Sequence, residues 1–167
     1  MGLTALDGLM MATRPGTLDP GLLLEWWREG RLSIEDAEAL LYHQSGLLGV
    51  SEISADTRDL LTSDDPRARL ALEMFVASVV RQCGAVIATL GGLDALVFTG
   101  GIGFHQPLVR ARIVEKLAWL GLGLDPSANA KGATLISASG RPPILVLEAR
   151  EEAVMALEAQ GVVSSTH

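Results

Sequence analysis

A short apolar run that ends in a cluster of glycines constrains this chain more than any other stretch: Asp94-Ala95-Leu96-Val97-Phe98-Thr99-Gly100-Gly101-Ile102-Gly103. Ala95 to Phe98 has the continuous apolar, partly β-branched character of a strand covered on both faces. Pro107 then opens a helical pattern through Leu108, Val109, Ile113, Leu117 and Leu120. Strand, glycine loop and helix in this order present backbone N–H groups to an anion, because glycine leaves no Cβ between backbone and phosphate. The same string also serves as a plain strand-to-helix turn, and the residues alone leave both readings open.

The flanking segments read as helices with clear stops. Asp19 caps a helix with Pro20 at its first position, Leu22, Leu23, Trp26 and Trp27 recur at helical spacing up to Gly30, and the two tryptophans read as core or interface anchors. Ser33 and Asp36 begin a second helix in a pattern like a capping box, running to Ser45-Gly46 with His43 at its polar end. Residues 49–59 read as a loop held by side-chain-to-backbone hydrogen bonds, with Asp56 and Arg58 on one side of an extended segment. That pair is either a surface ion pair or polar recognition of a sugar or base. Asp65-Pro66 opens the longest helix, whose apolar face ends at Gly91-Gly92. After a polar loop over 125–132, residues 134–137 and 144–147 read as strands. If residues 95–98 and 144–147 share a sheet, the connection predicts a parallel, right-handed crossover. Glu151 and Glu152 begin a last helix, where acidic residues suit the helix dipole. Near the start, Arg14 precedes a Pro15-Gly16 turn and is either a solvated loop charge or an anion clamp.

Composition excludes some classes. At 167 residues, 49% apolar, the chain is long enough for one domain with a proper core. Its aromatic fraction of 4% means that core is aliphatic. Net charge is −7 with no basic cluster, so a polyanionic nucleic-acid partner is not expected. The single Cys83 sits in a helical pattern, reads as a buried inert thiol and fits a reducing cytoplasm. No apolar run is expected to reach the length of a membrane span, and no secretory leader pattern opens the chain. The opening Gly2-Leu3-Thr4-Ala5-Leu6, without a polar lead-in, reads as though cut from something longer.

Taken together, four blocks resemble the C-terminal part of acetate kinase, in the phosphotransferase superfamily that includes actin, sugar kinases and the heat-shock chaperone ATPases. They are residues 1–20 around Arg14; Ser45-Gly46-Leu47-Leu48-Gly49-Val50-Ser51; Asp56-Thr57-Arg58-Asp59-Leu60; and residues 91–103. The resemblance is collinear to about Gly161. It implies an α/β fold, the C-terminal half of an actin/sugar-kinase-like, ribonuclease H-like ATPase domain, helix-rich with a small sheet. Residues 1–167 then form one incomplete domain, with 151–167 as closing helix and tail. It further implies phosphoryl transfer between ATP or ADP and acetate, or a similar short acid such as propionate, with Mg²⁺. By position, Arg14 matches the arginine that stabilises the transferring phosphoryl group. Asp56, Thr57 and Arg58 match nucleotide-binding positions, Gly101, Ile102 and Gly103 the segment against the nucleotide, and Glu151 the acidic residue associated with Mg²⁺. A cytoplasmic homodimer is implied, with no membrane partner.

The sequence departs from that family in two places. Phe104-His105 stands where Glu-Asn is usual, and Arg150 where asparagine is common. Family members are longer, and their N-terminal portion carries an asparagine, an arginine, an aspartate, a histidine and a phosphate hairpin that complete the site. The chain alone is therefore expected to be inactive, because positioning and charge stabilisation dominate phosphoryl transfer. The competing reading is a non-catalytic nucleotide-binding or dimerisation module. A dinucleotide-binding oxidoreductase is disfavoured, because the glycines do not follow G-x-G-x-x-G and no acidic residue ends a second strand.

Overall fold

The computed structural model describes residues 2–164, with the side chains of Glu151 and of residues 161–164 outside that description. Helices α1 (Pro20–Arg28), α2 (Ile34–His43), α3 (Gly46–Ser51), α4 (Thr57–Thr62) and α5 (Pro66–Leu90) come first. Strand β1 (Leu96–Phe98) follows, then α6 (Gly100–His105), α7 (Pro107–Lys116), a 3₁₀ turn at Ala118–Leu120 and α8 (Pro126–Ala130). Strand β2 (Ile144–Val146) and α9 (Glu151–Ser164) complete the order.

The longest helix organises the packing. Asp65 accepts from the Arg67 backbone N–H at 2.8 Å, Pro66 occupies the first turn, and Gly91 ends the helix at φ +78. Small residues Ala68 and Ala71, with Leu72, Phe75 and Val76, are buried in the core that α5 shares with α3, α4 and α7. Leu47, Leu60, Val109, Ile113, Leu117, Ile136 and Ile144 complete this aliphatic centre, as the composition predicts. Each such fully buried side chain contributes about 1.5–3 kcal/mol of transfer free energy. By length and composition alone, α5 is long enough and apolar enough to cross a membrane, which corrects the expectation that no apolar run approaches that length. Between Met74 and Leu90 only Arg81 is charged.

β1 and β2 pair in parallel, Leu96 opposite Ile144, Val97 opposite Leu145 and Phe98 opposite Val146, with α6, α7 and α8 in the connection. The parallel pairing expected from the sequence is thus present. Residues 134–137 are not a regular strand. They join the sheet through one isolated antiparallel bridge, Leu135 to Leu145, with the Ile136 N–H donating to the Ile144 carbonyl and the Val146 N–H to the Thr134 carbonyl, each at 2.9 Å.

Three further expectations are corrected. Residues 49–59 are not a single loop: 49–51 close α3, 57–59 open α4 behind its N-cap Asp56, and only 52–56 link them. The polar loop over 125–132 contains α8, capped by Asp125 through the Ser127 and Ala128 N–H groups. Of the two readings of the α1 tryptophans, core or interface anchor, the core one is corrected: α1 buries no residue and Trp27 is 43% exposed.

Candidate functional site

The residues singled out in the sequence come from distant segments, and each is held by its own local device. Arg14 sits in a turn closed by the Met11 N–H donating to the Arg14 carbonyl at 3.0 Å. The N-terminus of α3 is spent on that turn: the Ser45, Leu47 and Leu48 N–H groups donate to the carbonyls of Thr13, Met11 and Ala12 at 2.9–3.0 Å. Gly46 makes this possible. Its φ is +64, and a Cβ there would lie 2.1 Å from the Met11 carbonyl oxygen. Thr13 Oγ1 adds a bond to the Tyr42 carbonyl at 2.7 Å, so α2 and α3 together fix the turn that carries Arg14.

Asp56 and Arg58 lie at the start of α4. The Asp56 carboxylate accepts from the Arg58 backbone N–H at 2.8 Å and from its Nε at 2.9 and 3.0 Å. Their side chains face each other because Asp56 caps the helix that Thr57 and Arg58 begin, and not because the segment is extended. These bonds from the Arg58 side chain, then from its backbone, hold the Asp56 carboxyl down at about 2 and push the Arg58 guanidinium up. Upstream, buried Ser51 Oγ accepts from the Ile53 and Ser54 N–H groups, and Ser54 Oγ from the Asp56 N–H at 3.0 Å.

The glycine run is not a loop. Gly100, with φ +68, turns the chain out of β1, and residues 100–105 form α6. Gly103 meets Phe98 at ordinary contact distance, 3.6 Å from a built Cβ. Gly101 is different, since nothing lies within 4 Å of where its Cβ would be and its backbone needs no positive φ. Neither fold nor conformation requires a glycine there.

The space beside Gly101 is shared by three clefts. One of about 670 Å³ is lined by Asp56, Thr57, Arg58, Gly101, Ile102, His105 and Gln106. A second, about 540 Å³ and mostly apolar, runs from Arg14 along Gly100–Gly103 to Phe75, Val97, Val109 and Arg110. A third, about 490 Å³, is bordered by Gly100, Gly101, Glu148, Arg150 and Glu152. Arg14 and Gly103 border the second cleft and Asp56, Thr57 and Arg58 the first, Ile102 lines both, and Gly101 is common to all three. Glu151 opens α9, and its side chain lies outside the described residues.

Among the described residues no group of three His, Cys, Asp or Glu side chains stands close enough to hold a metal alone. A Mg²⁺ ion needs less, since it is commonly bound through one or two carboxylates together with substrate phosphates. Glu148 and Glu152 on the third cleft are oxygen donors of that kind, beside the cation Arg150. Cys83 is half-buried, and burial pushes its thiol up, which suits the inert role read from the sequence.

One residue the sequence reading did not single out is Arg110. It is 1% exposed. Its guanidinium donates to the carbonyls of Gly103 and Phe104 at 3.0 and 2.6 Å, to Asn129 Oδ1 at 2.7 Å and to the Asn129 carbonyl at 2.9 Å. Burial lowers its pKa from the ordinary value. The signal was present: Arg110 falls at helical spacing from Ile113, Val114 and Leu117, on the buried stripe of α7.

The chain is similar to known proteins over most of its length. A family model described as the Acetokinase family matches residues 1–157. An acetate kinase of Rhodopseudomonas palustris (strain TIE-1) is 57% identical over 140 residues, 83% of this chain and 35% of that protein. One of Nitrobacter hamburgensis is 48% identical over 157 residues, 93% of this chain and 39% of that protein. Among solved structures, a propionate kinase from Francisella tularensis superposes with TM-score 0.85 at 37% identity, over 91% of this chain and 40% of its own. Acetate kinase from Entamoeba histolytica does so with TM-score 0.88 at 31% identity, over 97% and 44%. The chain therefore spans less than half the length of each. These likenesses bear out the α/β fold class and the resemblance drawn from the four sequence blocks.

Proposed function

Because the chain belongs to the acetokinase family, we propose that it is the nucleotide-side portion of a kinase moving a phosphoryl group between ATP and acetate or a similar short carboxylate. The observation that carries this reading is the convergence of four separate segments on Gly101. In it, the cleft of Asp56, Thr57, Arg58, Gly101 and Ile102 takes the nucleoside end of ATP or ADP, with the Asp56–Arg58 pair offering both hydrogen-bond signs. Gly101 and Gly103 let the phosphate chain pass close to backbone. Arg14, on the neighbouring cleft, directs a planar donor fork at the transferring group, whose charge spreads over its equatorial oxygens. Glu151, with Glu148 and Glu152 close by in the chain, would hold Mg²⁺, which would supply charge neutralisation on the phosphates.

The acid-binding side belongs to the portion that relatives carry beyond this match, and the exposed Val154, Met155 and Leu157 of α9 would face it. A cytoplasmic homodimer belongs to the same proposal. The alternative is a non-catalytic nucleotide-binding or dimerisation module. Phe104 packs against the core and offers the cleft no polar group, while His105 stands at the rim, and this observation favours the alternative.

Calorimetric titration with Mg-ATP and Mg-ADP, together with an acetyl phosphate assay in the presence of acetate, separates the readings. Nucleotide binding without turnover, with turnover restored by the N-terminal portion of an acetate kinase, is the expected result. Binding with no restoration would favour the module, and absence of nucleotide binding would overturn the nucleotide-side reading.

A further inference from the structure

A buried guanidinium without a carboxylate partner needs a reason. Taking a charge out of water costs several kcal/mol unless hydrogen bonds replace the lost hydration. Arg110 is 1% exposed, and none of its hydrogen-bond partners is an anion. Two are carbonyls in the last turn of α6, where the helix dipole is negative and carbonyls lack intrahelical donors. The others belong to Asn129, whose own Nδ2 donates to the Pro107 carbonyl at 2.9 Å and so ties the guanidinium to α7 and α8.

Apart from Arg110, α6 is held by the partly buried side chains of Ile102 and Phe104, which pack against the core. It is six residues long, three of them glycine, and it has neither a buried residue nor a side-chain N-cap bond. Glycine in a helix costs about 1 kcal/mol relative to alanine, so this sequence would not stay helical by propensity. We infer that Arg110 is the positioning residue of the glycine helix: its fork grips the carbonyls of Gly103 and Phe104, and so sets where Gly101 and Ile102 stand between the clefts. Their use by a nucleotide rests on the function proposed above, whereas the grip itself does not. A lysine cannot replace the fork, since one ammonium does not span both the α6 carbonyls and the two Asn129 oxygens.

Amide hydrogen exchange of the full chain without ligand tests this directly. Arg110→Met is compared with Ile144→Val, at temperatures adjusted so that both variants stand equally far below their melting points. If Arg110 positions α6, exchange at Phe104, His105 and Gln106 quickens by about tenfold or more in Arg110→Met alone, while β1 and the second half of α7 match the control. Arg110→Lys, which keeps the charge, should show the same local pattern to a smaller degree, and it carries the comparison if Arg110→Met does not fold. Quickening spread evenly over α6, α7 and β1 in the arginine variants would make Arg110 an ordinary core residue and overturn the inference. Mg-ADP titration of the same proteins is read separately. Loss of affinity in the arginine variants but not in Ile144→Val is expected, and a parent chain that binds no nucleotide overturns the proposed function while the exchange data still decide the role of Arg110.

Discussion

Gly101→Ala separates a glycine kept for folding from one kept for a ligand. A Cβ at this position meets nothing within 4 Å, and the backbone is not left-handed, so the folded chain has room for alanine. Residue 101 lies in the first turn of α6, where alanine restricts the unfolded chain and favours the helix. The expected effect on stability is a gain of about 0.5–1 kcal/mol, or about 2 °C in Tm for a chain of this size. Ligand affinity should move the opposite way. The methyl group enters space shared by all three clefts, and overpacking a contact of this kind costs about 1–3 kcal/mol, roughly 5- to 150-fold in Kd for Mg-ADP. Thermal unfolding and calorimetric titration of the same preparation read the two effects. A variant that is more stable but binds more weakly is expected. Lower stability would show that the space beside Gly101 is needed by the fold, and unchanged affinity would remove the glycine run from the nucleotide site.

The remaining expectations concern the supports of the site. Gly46→Ala should destabilise by roughly 3 kcal/mol, through a left-handed backbone and loss of the α3 bonds to the Arg14 turn, seen as a lower denaturant midpoint. Glu52, at φ 54, is the non-glycine residue with positive φ among the described residues, and Glu52→Gly should raise stability by about 1 kcal/mol despite losing its exposed pair with Arg67. Asp56 has a folded pKa of about 2 against an ordinary 3.8, so its stabilising contribution is complete above pH 4 and is lost as pH falls toward 2. Carboxyl-carbon NMR should place its midpoint near the lower value, and Arg58→Gln should return it toward the ordinary one.

Much of the framework was legible because it is written in local chemistry. Asp19-Pro20, Ser33 and Asp65-Pro66 state where helices begin, and the structure finds caps at all three. Ile144 to Val146 and Leu96 to Phe98 are continuous apolar runs that pair in parallel, but only β2 is covered as such a run predicts, since Val97 of β1 is 47% exposed. The segment from Gly49 to Asp59 misleads because Ser51, Ser54 and Asp56 are residues of loops and of caps alike. Here they end one helix and start the next. The glycine run misleads for a different reason. Its residues oppose a helix by propensity, and the hydrogen bonds from Arg110 reach its last turn only through the tertiary fold. Arg14, Asp56 and Gly101 were each visible as unusual residues, whereas the adjoining clefts in which Gly101 meets Arg14 on one side and Asp56 on another depend on how α3, α4 and α7 pack on α5, which sequence spacing does not encode.

The sheet supplies a physical reason for the division of labour proposed here. Parallel strands are stable when covered on both faces and flanked by further strands, and two strands of three residues fall short of what stands alone in water. In this chain Val97 of β1 is 47% exposed, although its neighbour Phe98 is buried, and the mostly apolar cleft beside it opens toward Arg14. The exposed apolar surface therefore adjoins the residue assigned to the transferring phosphoryl group. A partner segment covering β1 would remove water from the same space in which Arg14 must act, and a guanidinium is a stronger electrostatic partner where water is excluded. Completion of the sheet and completion of the phosphoryl site are then one event. On the proposed reading, this chain would bind nucleotide on the α4 and α6 side, and the phosphoryl group would move only once a segment like the one its relatives carry covers β1.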